Sequence, residues 1–128
     1  MNIGEVAQAS ELPTKTVRYY ADIGLVLPSS RSQTGYRQYD EAELKKLIFV
    51  RRARAFGFTI DECRELLGLY EDRSRSSRDV KKLTLLRIEE IEAKMKELEL
   101  LHNALVILAD SCQGNDRPDC PIIEGLAR

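Results

Sequence analysis

Two cysteines, Cys112 and Cys120, bracket the run CQGNDRPDC near the C-terminus of this 128-residue chain. A turn-rich segment can bring two such sulfurs together, and two thiolates suit a soft ion. Structural zinc prefers four ligands, and neither a second cysteine pair nor a nearby histidine completes that set; the single His102 lies about three helical turns before Cys112. The pair therefore favours monovalent copper, silver or gold. Two other readings stay open: a redox-switched disulfide and two unrelated thiols. The third cysteine, Cys63, falls on the apolar face of a helix and reads as core. No G-x-S-x-G, phosphate-cradling glycine loop or H-E-x-x-H occurs. Nothing reads as an active site, so the chain is not expected to be an enzyme.

A second set of reactive positions is basic. Residues 1–60 hold nine Lys/Arg against six Asp/Glu, whereas residues 61–128 hold eleven against fifteen. An overall balance of −1 thus hides a basic N-terminal half, which keeps nucleic-acid binding open. Lys15, Thr16, Arg18 and Tyr19 in TKTVRYY fall on the outer surface of a short helix. Arg31, Tyr36 and Arg37 flank a turn, and Arg51, Arg52 and Arg54 cluster further on. Such side chains contact phosphates and base edges.

The elements that must hold these residues follow from periodicity. Ile3, Val6 and Ala7 mark one short amphipathic helix. Val17, Tyr20 and Ile23 mark a second, closed by Gly24 at C′. Two short helices with a tight break outline a helix-turn-helix. PSSRSQTGYRQYD reads as a small hairpin, or wing, with its tip near Gln33–Gly35. Asp40 with Glu43, and Thr59 with Glu62, open a second helix pair in capping-box fashion, with Gly57 between them. Leu44, Leu47, Ile48 and Val50 face inward on the first of that pair. Ile60, Cys63, Leu66, Leu67 and Tyr70 do so on the second. From about Arg78 to Ala109 one unbroken helix carries Ile88, Ile91, Met95, Leu98, His102, Leu105 and Ala109 at alternating spacings of three and four. That is a coiled-coil seam, and its simplest partner is a second copy of the chain. Three residues further along this register lies Cys112. Pro121 suits N1 of a closing turn, PIIEGLA. No apolar run spans a membrane, and MNIGEVAQAS lacks the pattern of a secretory leader. A cytoplasmic protein is expected.

The segments IGEVAQAS, TVRYYADIGLV and GYRQYDEAELKKLIFVRRARAFGFTIDECRELL resemble the MerR family of transcription regulators. The long helix with SCQGNDRPDCPI resembles the family's copper efflux regulator branch. The resemblance covers essentially the whole chain. It implies a mainly α fold. Residues 1–72 form a winged helix-turn-helix DNA-binding domain with a second helix pair, 73–110 an antiparallel coiled-coil dimerisation helix, and 111–128 a metal-binding loop and closing turn. It further implies a homodimer on double-stranded promoter DNA whose two polymerase-recognition elements are spaced too far apart. The ion-bound dimer bends and untwists that DNA for RNA polymerase. Arg18, Tyr20, Tyr36 and Arg37 match the DNA-contacting motif, with Lys15 and Arg54 as additional contacts. Cys112 and Cys120 match ligands for Cu(I), Ag(I) or Au(I). Ser77 stands where divalent-metal relatives carry a cysteine that reaches across the dimer. Two thiolates and a monovalent ion leave one negative charge, for which Lys81 of the second copy is a candidate counter-charge. Glu11 and Pro13 depart from the family's usual glycine and serine in the first turn, so that turn is expected to be reshaped. Ala21 and Ser111 depart from a frequent Glu and Cys.

Overall fold

A computed structural model describes residues 1–128 as six helices and one two-stranded hairpin. The chain divides into two compact units, Met1–Thr84 and Leu85–Arg128.

In the first unit, α1 (Ile3–Ser10) starts on Asn2, whose side chain accepts from the Glu5 N–H while Glu5 accepts from the Asn2 N–H. It ends on Glu11 at φ 60°, ψ 37°. The expected reshaping of this turn does not occur. A non-glycine residue takes the left-handed conformation, and its carboxylate pairs with Arg51 at 2.9 Å. Helix α2 (Thr14–Asp22) has no side-chain cap at Pro13. Its first N–H groups have no intrahelical partner in any case, and Pro13 contributes its carbonyl to Thr16 and Val17. Gly24, at φ 72°, lets the chain leave the helix, where a side chain would be strained.

The wing pairs β1 (Ser30–Arg31) with β2 (Arg37–Gln38), antiparallel, with Ser30 opposite Gln38 and Arg31 opposite Arg37. Its turn closes through the Gly35 N–H to the Ser32 carbonyl and the Ser32 N–H to the Tyr36 carbonyl. Asn2 adds an isolated bridge to Gln38, so the wing is tied to the start of α1.

Helices α3 (Glu41–Ala55) and α4 (Ile60–Glu71) form the second pair. The Asp40 N–H donates to the Glu43 carboxylate, and Thr59 and Glu62 cap α4 reciprocally. Val6, Val17, Val26, Tyr39, Leu47, Val50 and Cys63 are fully buried in one core shared by both pairs and the wing. Burying an aliphatic side chain contributes about 1.5–3 kcal/mol. These residues therefore fix the angle at which α2 and the wing are presented. Tyr70, expected in the apolar stripe of α4, is largely exposed and meets Phe49 ring to ring at 4.9 Å.

Helix α5 (Ser77–Ser111) is slightly longer than the sequence suggests. Its first two turns belong to the N-terminal unit, beyond residue 72, because Leu83 is buried in that unit's core. In the second unit α5 continues as a bare helix. Ile88, Ile91, Met95, Leu98 and Leu105 are all exposed. Helix α6 (Pro121–Leu126) begins on Cys120 with Pro121 in its first turn. It approaches α5 closely, since a Cβ on Gly125 would lie 2.8 Å from a methyl carbon of Leu108. No helix is long and apolar enough to cross a membrane.

Candidate functional site

Two places gather the residues that sequence reading singled out. The first is a concave surface, about 620 Å³ in volume, between the start of α1, helix α2 and the wing. Arg18, Arg31, Tyr36 and Arg37 line it together with Asn2 and Gln38. Tyr36 is 71 % exposed, standing out at the wing's edge. Arg31 donates to the Gly35 carbonyl at 3.1 Å and stiffens the turn. Arg37 donates to Asp22 at 2.7 Å, from the wing to the last residue of α2. Lys15 is exposed on the same helix as Arg18, outside the lining of this hollow.

Tyr20 and Arg54 sit differently. Tyr20 is only 5 % exposed. Burial raises its phenol above the ordinary range, opposed by the nearby Arg54 guanidinium. The Arg54 guanidinium donates to the Phe58 carbonyl at 2.8 Å, across the α3–α4 turn. These two residues join the back of α2 to the second helix pair instead of lining the hollow. Beneath the arginines lies Tyr39, fully buried, with no hydrogen-bond partner for its hydroxyl. Burial raises this phenol too, with Arg37 working in the opposite sense.

Three supporting contacts escape sequence inspection because they join distant segments. Asp22 meets Arg37 fifteen positions on, Arg51 meets Glu11 across forty, and Arg64 caps the C-terminal end of α2. Arg64 of α4 donates to the carbonyls of Ile23 and Gly24, both at 3.1 Å, which leaves a cation where the helix dipole favours one. The one available signal was chemical: Asp22 is an acid in the last turn of a helix that carries no base there, against the dipole.

The second place is the end of the chain. From residue 101 onward the half-buried positions are Leu108, Cys112, Cys120, Pro121, Ile122 and Gly125. Cys112 lies just past the end of α5 and Cys120 at the start of α6, each half-buried. Both are free. The Ile123 N–H holds the Cys120 thiol below its ordinary range, helped by the Ile122 N–H and the Cys112 thiol, while partial burial and Glu124 act against them. A thiol held toward thiolate is a better ligand and nucleophile. Nowhere do three or more His, Cys, Asp or Glu converge as a metal-ligating group. If both thiols served one ion, two sulfurs would suit a low-coordinate soft ion rather than a four-coordinate one. Between them, the Arg117 N–H donates to Asn115 Oδ1 at 2.9 Å in a tight local turn. Ser77 and Lys81 are both exposed on the first turns of α5. Cys63 is fully buried, and burial raises its thiol, so it is a packing residue.

Comparison with known families decides the class. A model described as "MerR HTH family regulatory protein" matches residues 1–69, and one described as "MerR, DNA binding" matches residues 44–108. The chain belongs to the MerR family. It is 50 % identical to the HTH-type transcriptional regulator HmrR of Rhizobium leguminosarum bv. viciae, over 99 % of this chain and 98 % of that one. It is 46 % identical to the HTH-type transcriptional regulator CueR of Salmonella typhimurium, over 99 % and 92 %. Among solved structures, the lead(II) complex of the transcription regulator PbrR691 from Ralstonia metallidurans CH34 superposes with a TM-score of 0.83 at 36 % identity, covering 98 % of both chains. As a member of this family the chain is a DNA-binding regulatory protein and not an enzyme. Three arginines line the hollow between α2 and the wing, a chemistry that suits an anionic ligand.

Proposed function

We propose that this MerR-family chain is a homodimeric transcription regulator that senses monovalent copper-group ions, Cu(I), Ag(I) or Au(I), through Cys112 and Cys120. The observation that carries the reading is the placement of two free, half-buried thiols at the two ends of one short segment, Cys112 just past α5 and Cys120 at the start of α6. A bound ion supplies a link between the two sulfurs. The N–H groups of Ile122 and Ile123 offset the excess negative charge of a dithiolate site, and Lys81 of a second copy adds a cation near Ser77. A site of low ligand number selects a singly charged soft ion over zinc or lead.

At the other end of the chain, Lys15, Arg18, Arg31, Tyr36 and Arg37 contact double-stranded promoter DNA. Tyr20 and Arg54 serve the same surface from behind by fixing the pitch of α2. The seam of α5 is covered by a second copy, so that both hollows meet one palindromic site. Closing the Cys112–Cys120 segment changes how the two DNA-binding units are held. The response is promoter distortion that lets RNA polymerase start.

Reduced protein, a promoter fragment it binds and RNA polymerase, combined with each ion in turn, test this. Transcription should rise with Cu(I), Ag(I) or Au(I) and not with Zn(II) or Pb(II). Activation by an oxidant alone, with no ion present, would instead favour a Cys112–Cys120 disulfide switch.

A further inference from the structure

The wing contains an arrangement that is unfavourable without DNA. Arg31 and Arg37 stand directly opposite each other across the hairpin, where like charges destabilise a strand pair. Arg18 lines the same hollow. The carboxylate in contact with Arg37 belongs to Asp22, at 2.7 Å. Asp22 is itself misplaced by ordinary rules, being an acid at the C-terminal end of a helix and on the edge of a surface that must accept phosphates. Both anomalies disappear if the carboxylate serves the guanidinium. Only Nη2 of Arg37 is engaged by Asp22. A guanidinium has five N–H donors, and Arg37 also lines the hollow, so Asp22 does not exhaust its donors.

We propose that Asp22 is the positioning residue of the wing arginine: it ties Arg37 to the end of α2 and aims its remaining donors at one backbone phosphate, so that discrimination between operator and other DNA runs through the Asp22–Arg37 pair. Phosphate contacts carry no sequence information themselves but set register. A fixed Arg37 rewards only a duplex whose backbone lies where α2 reads the bases. A loose one rewards any duplex. This inference rests on the DNA surface described above.

The test measures metal-free full-length protein on two probes: the duplex that native protein enriches from a random-sequence pool, and a scrambled duplex of equal composition. Asp22→Asn should weaken the enriched duplex by roughly fivefold, the scale of an exposed charge pair. It should tighten the scrambled duplex by about twofold, because one repelled charge is gone. Asp22→Glu should restore most of the discrimination. In an Arg37→Ala background Asp22→Asn should no longer weaken the enriched duplex. Equal tightening of both duplexes would overturn the proposal and make Asp22 a mere repulsive charge. Equal weakening of both with a lowered Tm would overturn it in favour of a purely structural role. An undiminished Asp22→Asn effect without Arg37 would also overturn it. If Arg37→Ala itself left binding of the enriched duplex unchanged, the DNA-surface assignment would fall, and the proposal with it.

Discussion

Trimming one seam leucine measures how much of α5 a second copy covers. Leu98 leaves 63 % of its surface exposed on the single chain. Leu98→Ala removes the equivalent of three methylenes, worth ~2.4 kcal/mol when fully buried at about 0.8 kcal/mol each. If dimerisation covers the share now exposed, the loss is about 1.5 kcal/mol per chain. Symmetry counts it twice, giving ~3 kcal/mol per dimer, or roughly a hundredfold in the dimer dissociation constant. Sedimentation equilibrium over a dilution series reads this directly. The control is Glu89→Ala, on the polar side of the same helix, which should shift the constant by no more than about twofold. A Leu98→Ala dimer as tight as the native one would refute the seam assignment, as would a native protein that is monomeric at every concentration.

Three further outcomes follow from the packing. Tyr39→Phe removes a buried hydroxyl that has no partner, so it should leave stability unchanged or raise it by about 1 kcal/mol; thermal unfolding that falls by more than this would mean a hidden partner. Glu11 carries both a left-handed backbone and an ion pair to Arg51, so Glu11→Gly should be more stable than Glu11→Ala by about 1 kcal/mol in urea unfolding, and an Ala variant equal to Gly would argue against strain there. The thiols should separate by pH. Cys120 is lowered and Cys63 raised and buried, so alkylation followed by mass spectrometry should label Cys120 at lower pH than Cys63. The same shift gives a linkage: the folded state gains as pH rises past the folded-state pKa of Cys120 toward the free-thiol range, and the gain is lost as pH falls back through that folded-state pKa. Cys63 works in the opposite sense, since its thiol ionises more easily once unfolded.

Much of the fold was legible because local rules and burial agreed. The capping box at Thr59 and Glu62, the stop at Gly24 and the inward Leu47 and Val50 of α3 read correctly from periodicity and cap chemistry, whereas Ile48, expected beside them, lies outside the buried core. Tyr20 was placed with Val17 on the inner face and is buried there, even though resemblance alone would set it among contacting residues. What could not be read was contact between elements. A period describes one helix at a time, so the pairing of Asp22 with Arg37 and of Arg64 with the end of α2 lies beyond its reach. The first turn was misjudged for a related reason. Glu11 takes the left-handed conformation, and its carboxylate pairs with Arg51 forty residues away, a contact no local rule reveals. Exposed Leu86, Leu100 and Ile107 also fall outside the seam, a second apolar row that spacing by threes and fours passes over. At the chain's end the sequence offered two thiols and a turn. The Ile122 and Ile123 N–H groups on Cys120 depend on α6 starting at that residue.

The central claim is that Cys112 and Cys120 together hold one monovalent soft ion. Anaerobic titration of reduced native protein with Cu(I) against a competing chelator tests it most directly, with Zn(II) run in parallel. The account predicts one tight Cu(I) per chain, lost in both Cys112→Ser and Cys120→Ser and retained in Cys63→Ser, with no comparable zinc binding. Undiminished Cu(I) affinity in either single serine variant would contradict it.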